Sequence, residues 1–228
     1  MAIKSGKVKQ TEKTKKCSTV YSLAIQLSSD IKTQFSERLH KFQDGTMHNR
    51  MNSEISKILY DSRDGEETKF EFTENSFDGL SNFEFNTNSK LIDFLRVKPS
   101  VNLTGNNLVV SLPELKIPAK LKFIPESKFC KLNVYVALLR LNNPKPKAVK
   151  SQSVLVDINQ GILNAHKFQF KVPDGCVCLV GVFLDYFYIL EEYKVLLNNK
   201  DFNPSAICAA IFTPNVLDEN GKFIYSKD

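Results

Sequence analysis

Three histidines, five cysteines and a scatter of carboxylates are the residues from which this 228-residue chain could build a catalytic or metal site. His40 and His48 flank what reads as a turn and could approach one another. No cysteine or second carboxylate recurs at ligand spacing beside them, so a zinc site there would lack half its ligands. Solvated histidines near a turn is the simpler reading. Cys176-Val177-Cys178 puts two thiols at i and i+2, on one face of a strand, where they could hold a soft metal or react. The pair follows the turn residues Pro173-Asp174-Gly175 and enters an apolar segment, where cysteine behaves as a small hydrophobe. Cys130 and Cys208 would complete a zinc site only if the fold brought all four together. Five cysteines, odd in number and unframed, read as free thiols of a reducing cytoplasm.

The carboxylates Glu66, Glu67, Glu71, Glu74, Asp185, Glu191 and Glu192 include no two that spacing singles out as an acid-base pair; adjacent ones on a strand face opposite ways. Aromatics offer base or sugar stacking at Phe183, Tyr186, Phe187 and Tyr188 and at three Phe-x-Phe pairs, Phe70/Phe72, Phe83/Phe85 and Phe168/Phe170. None has the glycine and basic context of an RNA-binding sheet, so they read as core, with Tyr186 and Tyr188 marking a half-exposed face. The phosphate loop Gly-x-x-x-x-Gly-Lys, the Gly-x-Gly-x-x-Gly fingerprint, the Gly-x-Ser-x-Gly elbow and His-Glu-x-x-His are all absent. No catalytic residue, cofactor or metal is implied.

Charge is concentrated at one end. Lys4, Lys7, Lys9, Lys13, Lys15 and Lys16 stand against Glu12 alone and supply all but one unit of the net charge of +6. These six lysines are the candidate contacts for a partner or for phosphates, through counterion release without sequence specificity. The start lacks an apolar signal core, and the most apolar run, Val177 to Leu190, is interrupted by Asp185 and falls short of the roughly 18 residues of a membrane span. The expectation is a soluble cytoplasmic protein with no membrane association.

The elements that would position these groups change period along the chain. Val20, Leu23, Leu27, Ile31, Phe35, Leu39 and Phe42 recur every three or four residues and predict an amphipathic helix of about 25 residues. Asp44-Gly45 ends it, with Gly45 in a left-handed conformation, and Thr46 caps a second helix carrying Met47, Met51, Ile55, Ile58 and Leu59 on one stripe. From about Lys69 the period is two. Strands are expected at Val101–Thr104, Leu108–Leu112, Leu132–Leu141, Val154–Ile158, Lys167–Val172, Cys176–Tyr186, Tyr193–Leu197 and Ala206–Phe212. Asn220-Gly221 predicts a final hairpin in which Glu219 faces Lys222. Without helices between strands, the pairing is antiparallel. Val177–Val180 and Ala206–Phe212, apolar on both faces, are central strands covered on both sides, with the helices available to cover one. The fold class is therefore α+β: a basic tail over 1–17, a helical hairpin over 18–67 with a polar linker at Asp61–Glu67, and an antiparallel β-sandwich-like region over 68–228.

The order of Arg38-Leu39-His40, Arg50-Met51-Asn52 and Gly79-Leu80-Ser81-Asn82-Phe83-Glu84-Phe85-Asn86 resembles a loose group of uncharacterised Bacteroidota proteins with an N-terminal helical hairpin and a C-terminal β-sandwich. The resemblance implies the fold and no activity; it departs at the Lys-rich start, where those proteins often carry glycines. Two functions are expected: a non-enzymatic interaction or assembly protein, a homo-oligomer or a subunit of a larger cytoplasmic or phage-derived particle, and, as the alternative, a nucleic-acid-associated protein working through the tail.

Overall fold

The computed structural model describes residues 12–39, 42–63, 69–141 and 150–226. Its helices are α1 (Glu12–Gln34), α2 (Ser36–Leu39), α3 (Met47–Asp61) and α4 (Leu91–Phe94). Its strands are β1 (Lys69–Thr73), β2 (Phe83–Glu84), β3 (Ser100–Thr104), β4 (Asn107–Leu112), β5 (Leu115–Lys116), β6 (Phe129–Leu139), β7 (Lys150–Asp157), β8 (Ile162–Leu163), β9 (His166–Lys171), β10 (Val177–Leu190), β11 (Tyr193–Leu196), β12 (Ser205–Phe212) and β13 (Lys222–Ser226). The central sheet has the order β2-β12-β10-β6-β7, with β11 continuing beside β10; a second sheet is β3-β4-β9, and β5-β8 and β1-β13 form two small pairs. Every pairing is antiparallel, so the α+β class and the sandwich-like packing hold.

Alternation along the central strands builds three layers. In β10, Val177, Leu179 and Phe183 face the helices, while Cys178, Val180, Val182, Leu184 and Tyr186 face the second sheet. In β6, Tyr135, Ala137 and Leu139 take the helix side and Leu132, Val134, Val136 and Leu138 the other. The helical stripes, Val20, Leu23, Leu27, Ile31 and Phe35 on α1 and Met47, Met51, Ile55, Ile58 and Leu59 on α3, are buried in the same cluster as the first set. Each such leucine or phenylalanine contributes about 1.5 to 3 kcal/mol on burial. All three Phe-x-Phe pairs are buried.

The expected first helix is broken at Phe35, and two contacts account for the break. The Phe35 ring lies against Gly181, where an added Cβ would come within 2.8 Å of it. Beside it, the Gln34 side-chain amide accepts from Leu138 N at 2.6 Å and donates to Leu138 O at 2.7 Å, taking the place of a strand at the end of β6. The helix also starts at Glu12 rather than after residue 17, so the backbones of Lys13, Lys15 and Lys16 are helical. Thr46 does not cap α3 through its side chain. Asp44 holds that corner instead: its Oδ1 accepts Thr46 N at 2.8 Å and its Oδ2 accepts Arg50 at 2.6 Å and Thr87 N at 2.9 Å. Burial alone would raise the Asp44 carboxyl; the bonds from Thr87, Thr46 and Arg50 outweigh it and hold the group well below the usual carboxylate range. Gly45 is not left-handed.

The chain turns at Asp218–Gly221, with Gly221 N donating to Asp218 O at 3.0 Å, but only Gly221 is left-handed, at φ 72°, so the expected two-residue Asn220-Gly221 turn and its local hairpin do not form. Lys222–Ser226 crosses to pair with β1, in the register Lys69↔Ser226 to Thr73↔Lys222. Lys222 therefore meets Glu71 at 2.7 Å rather than Glu219. The long-range partner of the last strand is decided by Phe70 and Phe72, which receive Tyr225 and Phe223 within 6.2 and 6.3 Å.

Candidate interaction surface

β10 is longer than the strands that flank it. Its 14 residues pair with β12 only over Val177–Phe183 and with β6 only over Val177–Phe187. Beyond Phe187 the strand continues with β11 alone, in the register Phe187↔Leu196 to Leu190↔Tyr193. A strand leaving its sheet needs an anchored root, and this one has two anchors. Asn198 fills the gap between β12 and β11: Tyr186 N donates to its Oδ1 and its Nδ2 donates to Leu184 O, each at 2.7 Å. On the helix side Arg38 donates from Nη1 to Asp185 Oδ2 at 2.8 Å and from Nε to the Tyr135 hydroxyl at 2.7 Å, while its Nη2 reaches Asn133 Oδ1 at 3.3 Å. Asn133 returns a bond to Asp185 Oδ2 at 3.1 Å. The buried Asp185 charge is thereby compensated by one guanidinium and one amide, tying α2 to β6 and β10.

The projecting part is a two-stranded arm. Its tip is Glu191 and Glu192, at φ 45° and 73°, so both central residues of a two-residue turn are left-handed, a geometry that favours Asn-Gly. Behind the tip, Ile189 (56% exposed), Leu190 (56%), Tyr193 (77%) and Leu196 (40%) lie in water. Strand alternation sends Ile189 and Leu196 to one side and Leu190 and Tyr193 to the other, so both faces of the arm are apolar. Toward the root Phe187 stacks on Phe129 at 5.3 Å and is roofed by the Lys194 ammonium, 4.1 Å from its ring centre. The two-residue turn makes Leu190/Tyr193 and Tyr188/Val195 the hydrogen-bonded pairs, so the amides and carbonyls of Lys194 and Leu196 point to the free edge. No backbone partner meets them among the described residues. An arm of this kind can seat apolar side chains on two faces and add a strand along one edge.

The residues singled out in the sequence fall elsewhere. Lys4, Lys7 and Lys9 lie outside the described residues, as do the side chains of Lys13, Lys15 and Lys16, and His40 lies there too. His48 Nε2 accepts from the Lys32 ammonium at 2.8 Å, and burial and that cation both lower its pKa. His166 sits edge-on to Phe168, 4.6 Å between ring centres. Cys130, Cys176, Cys178 and Cys208 are buried and unbridged, with Cys178 and Cys208 both pushed up to about 12 by burial, far from thiolate chemistry at neutral pH. Among the described residues no group of three or more histidine, cysteine or acidic side chains could hold a metal ion, and no helix is long and apolar enough to cross a membrane. Tyr186 is fully buried, its hydroxyl donating to Lys122 O at 2.7 Å, which corrects the expectation that it lies half exposed with Tyr188. Glu191 and Glu192 form the turn. The strand expected at Tyr193–Leu197 is β11, but the expected end of β10 at Tyr186 falls one residue before burial ends at Phe187; the unbroken Phe187-Tyr188-Ile189-Leu190 was the signal that it continued.

No known protein family, curated protein or solved structure matches the chain.

Proposed function

We propose that the protein is a non-enzymatic interaction or assembly protein, with the β10–β11 arm as its docking element. The observation that carries the reading is the arm itself: four large apolar side chains exposed on two faces of one hairpin, beyond the core that the rest of the strand serves. Scattered exposed hydrophobics are ordinary on a protein surface, but a contiguous group on a projecting ribbon is the form an interface takes. The partner is a protein, with a second copy of this chain the first to test, since two β11 edges can pair antiparallel about Val195 and bring each Lys194 opposite the other's Leu196. This fits a subunit of a larger cytoplasmic or phage-derived particle, as the sequence led us to expect.

Light scattering on a size-exclusion column, with the wild-type chain and with a variant bearing Ile189→Ser, Leu190→Ser, Tyr193→Ser and Leu196→Ser, tests it. A concentration-dependent oligomer that the variant loses supports the reading. A strict monomer with no arm-dependent protein partner overturns it.

A further inference from the structure

On the same side of β10 as the arm but beyond β12, at the β2 edge of the central sheet, Glu84 is a half-buried carboxyl with no ion pair of its own among the described residues. Its Oε2 accepts Leu91 N at 2.9 Å. Arg50 reaches the same residue but is committed to the Glu84 carbonyl at 2.8 Å and to Asp44 at 2.6 Å. Among the described residues no ion pair forms on the Glu84 carboxylate. Two cavities meet at Glu84 and Asn82. The first, about 230 Å³, is apolar and lies beside α4, lined by Leu91, Ile92, Leu95, Val97 and Cys208. The second, about 410 Å³, is lined by the charged Arg50, Glu54 and Lys57 together with Ser53, Ser81 and Thr87. The corner between them is held by Asn82, left-handed at φ 71° and pinned by its N–H to Ile207 O at 2.6 Å.

We propose that this junction binds a small apolar primary amine, its ammonium on the Glu84 carboxylate and its hydrocarbon body in the cavity beside α4. An anion there would meet a half-buried carboxylate with no ion pair, and a neutral guest would leave it without one; an ammonium supplies both the direct charge partner and further donors. Burial raises the carboxyl to about 7, with the Leu91 amide opposing it; of the charged groups near it Asp93 raises it further, and Lys90 and Arg50 lower it. Cys208 faces it and Lys98 lines the apolar cavity. Below that pH the carboxyl is protonated and offers no charge. Above it the carboxylate forms while an alkylammonium keeps its proton, so affinity rises with pH through 7.

Calorimetric titration of the full chain with n-hexylammonium chloride, against hexanol and hexanoate of equal length, tests this. The ammonium should bind about tenfold or more tighter than either, lose that advantage in Glu84→Gln, and gain about tenfold between pH 6 and 8. Equal binding of hexanol, the absence of saturation, or unchanged affinity in Glu84→Gln would overturn the proposal. Because that substitution also touches the bond to Leu91, the wild-type Glu84 carboxyl is followed by NMR: its titration midpoint must fall when the amine is bound, and an unmoved midpoint rejects the site.

Discussion

From Val177 to Phe187, β10 has a strand on its β6 side and covered faces above and below; from Tyr188 to Leu190 it has β11 alone and water on both faces. The residue types hardly change across that boundary. Val-Cys-Leu-Val at the start of the inner half gives way to Tyr-Ile-Leu in the outer, with Asp185 the only charged residue along the strand. In the inner half, apolarity on both faces is explained by two covering layers, the helices and the β3-β4-β9 sheet. In the outer half nothing within the chain explains it among the described residues, and a partner is the economical account. Substitutions placed on either side of the boundary separate the two roles: inner ones should cost stability, outer ones association.

The largest effect is expected at Gly181. An added Cβ would stand 2.8 Å from the Phe35 ring and 2.9 Å from the Phe183 ring, both in the core between helix and sheet. Gly181→Val should therefore destabilise the fold by about 3 kcal/mol, read as a drop in the denaturant midpoint at unchanged slope. Arg38→Ala should rank next. It strips Asp185 and Asn133, both largely buried, of a guanidinium whose own side chain is 26% exposed. The residual solvent access brings the expected cost down to about 2 kcal/mol. If Arg38→Ala proves harmless, the root of the arm is not anchored as described and the arm's geometry loses its support.

The layers themselves were readable from spacing. The α1 and α3 stripes, the Phe-x-Phe pairs and the two-sided apolar strands each declare a buried face, because burial imposes a period of 3.6 or 2 on the chain. What could not be read was which polar side chain would substitute for a missing strand or charge. Gln34 on Leu138 and Asn198 on Leu184 and Tyr186 are isolated polar residues whose partners lie 104 and up to 14 positions away, and nothing local encodes that distance. Asp185 was visible only as an interruption of an apolar run, and its partner Arg38 lies 147 positions away. Asn220-Gly221 misled for the same reason: the chain turns there, but around Asp218–Gly221, and the strand that follows pairs with β1, which nothing local encodes. Glu84 carries no sequence mark either, since its setting comes from β2 lying at a sheet edge beside α4.

At the arm's tip the expected change has the opposite sign. Glu191 and Glu192 occupy left-handed conformations that suit asparagine and glycine. Glu191→Asn with Glu192→Gly should raise stability by about 1 kcal/mol, seen as a higher melting temperature. If the arm's exposed form is an artefact of a weak hairpin, this variant should not alter association; if the arm docks as a preformed ribbon, the stiffer turn should strengthen it.

The smallest effect on stability, and the most discriminating on function, belongs to the arm's side chains. Tyr193 is 77% exposed and Ile189 56%, so Tyr193→Ser and Ile189→Ser remove little buried area and should each change folding stability by no more than about 0.5 kcal/mol. A side chain that is exposed in the monomer but central to an interface behaves differently in association, where truncating one large aromatic anchor commonly costs about 2 kcal/mol, a loss of roughly 30-fold in affinity. The two readouts must therefore come apart, with an unchanged denaturant midpoint at low protein concentration and a shifted association constant by light scattering or sedimentation. Should Tyr193→Ser instead lower the midpoint by as much as Arg38→Ala, the outer half of β10 is part of the fold's own core, and the contrast between the two halves of the strand disappears.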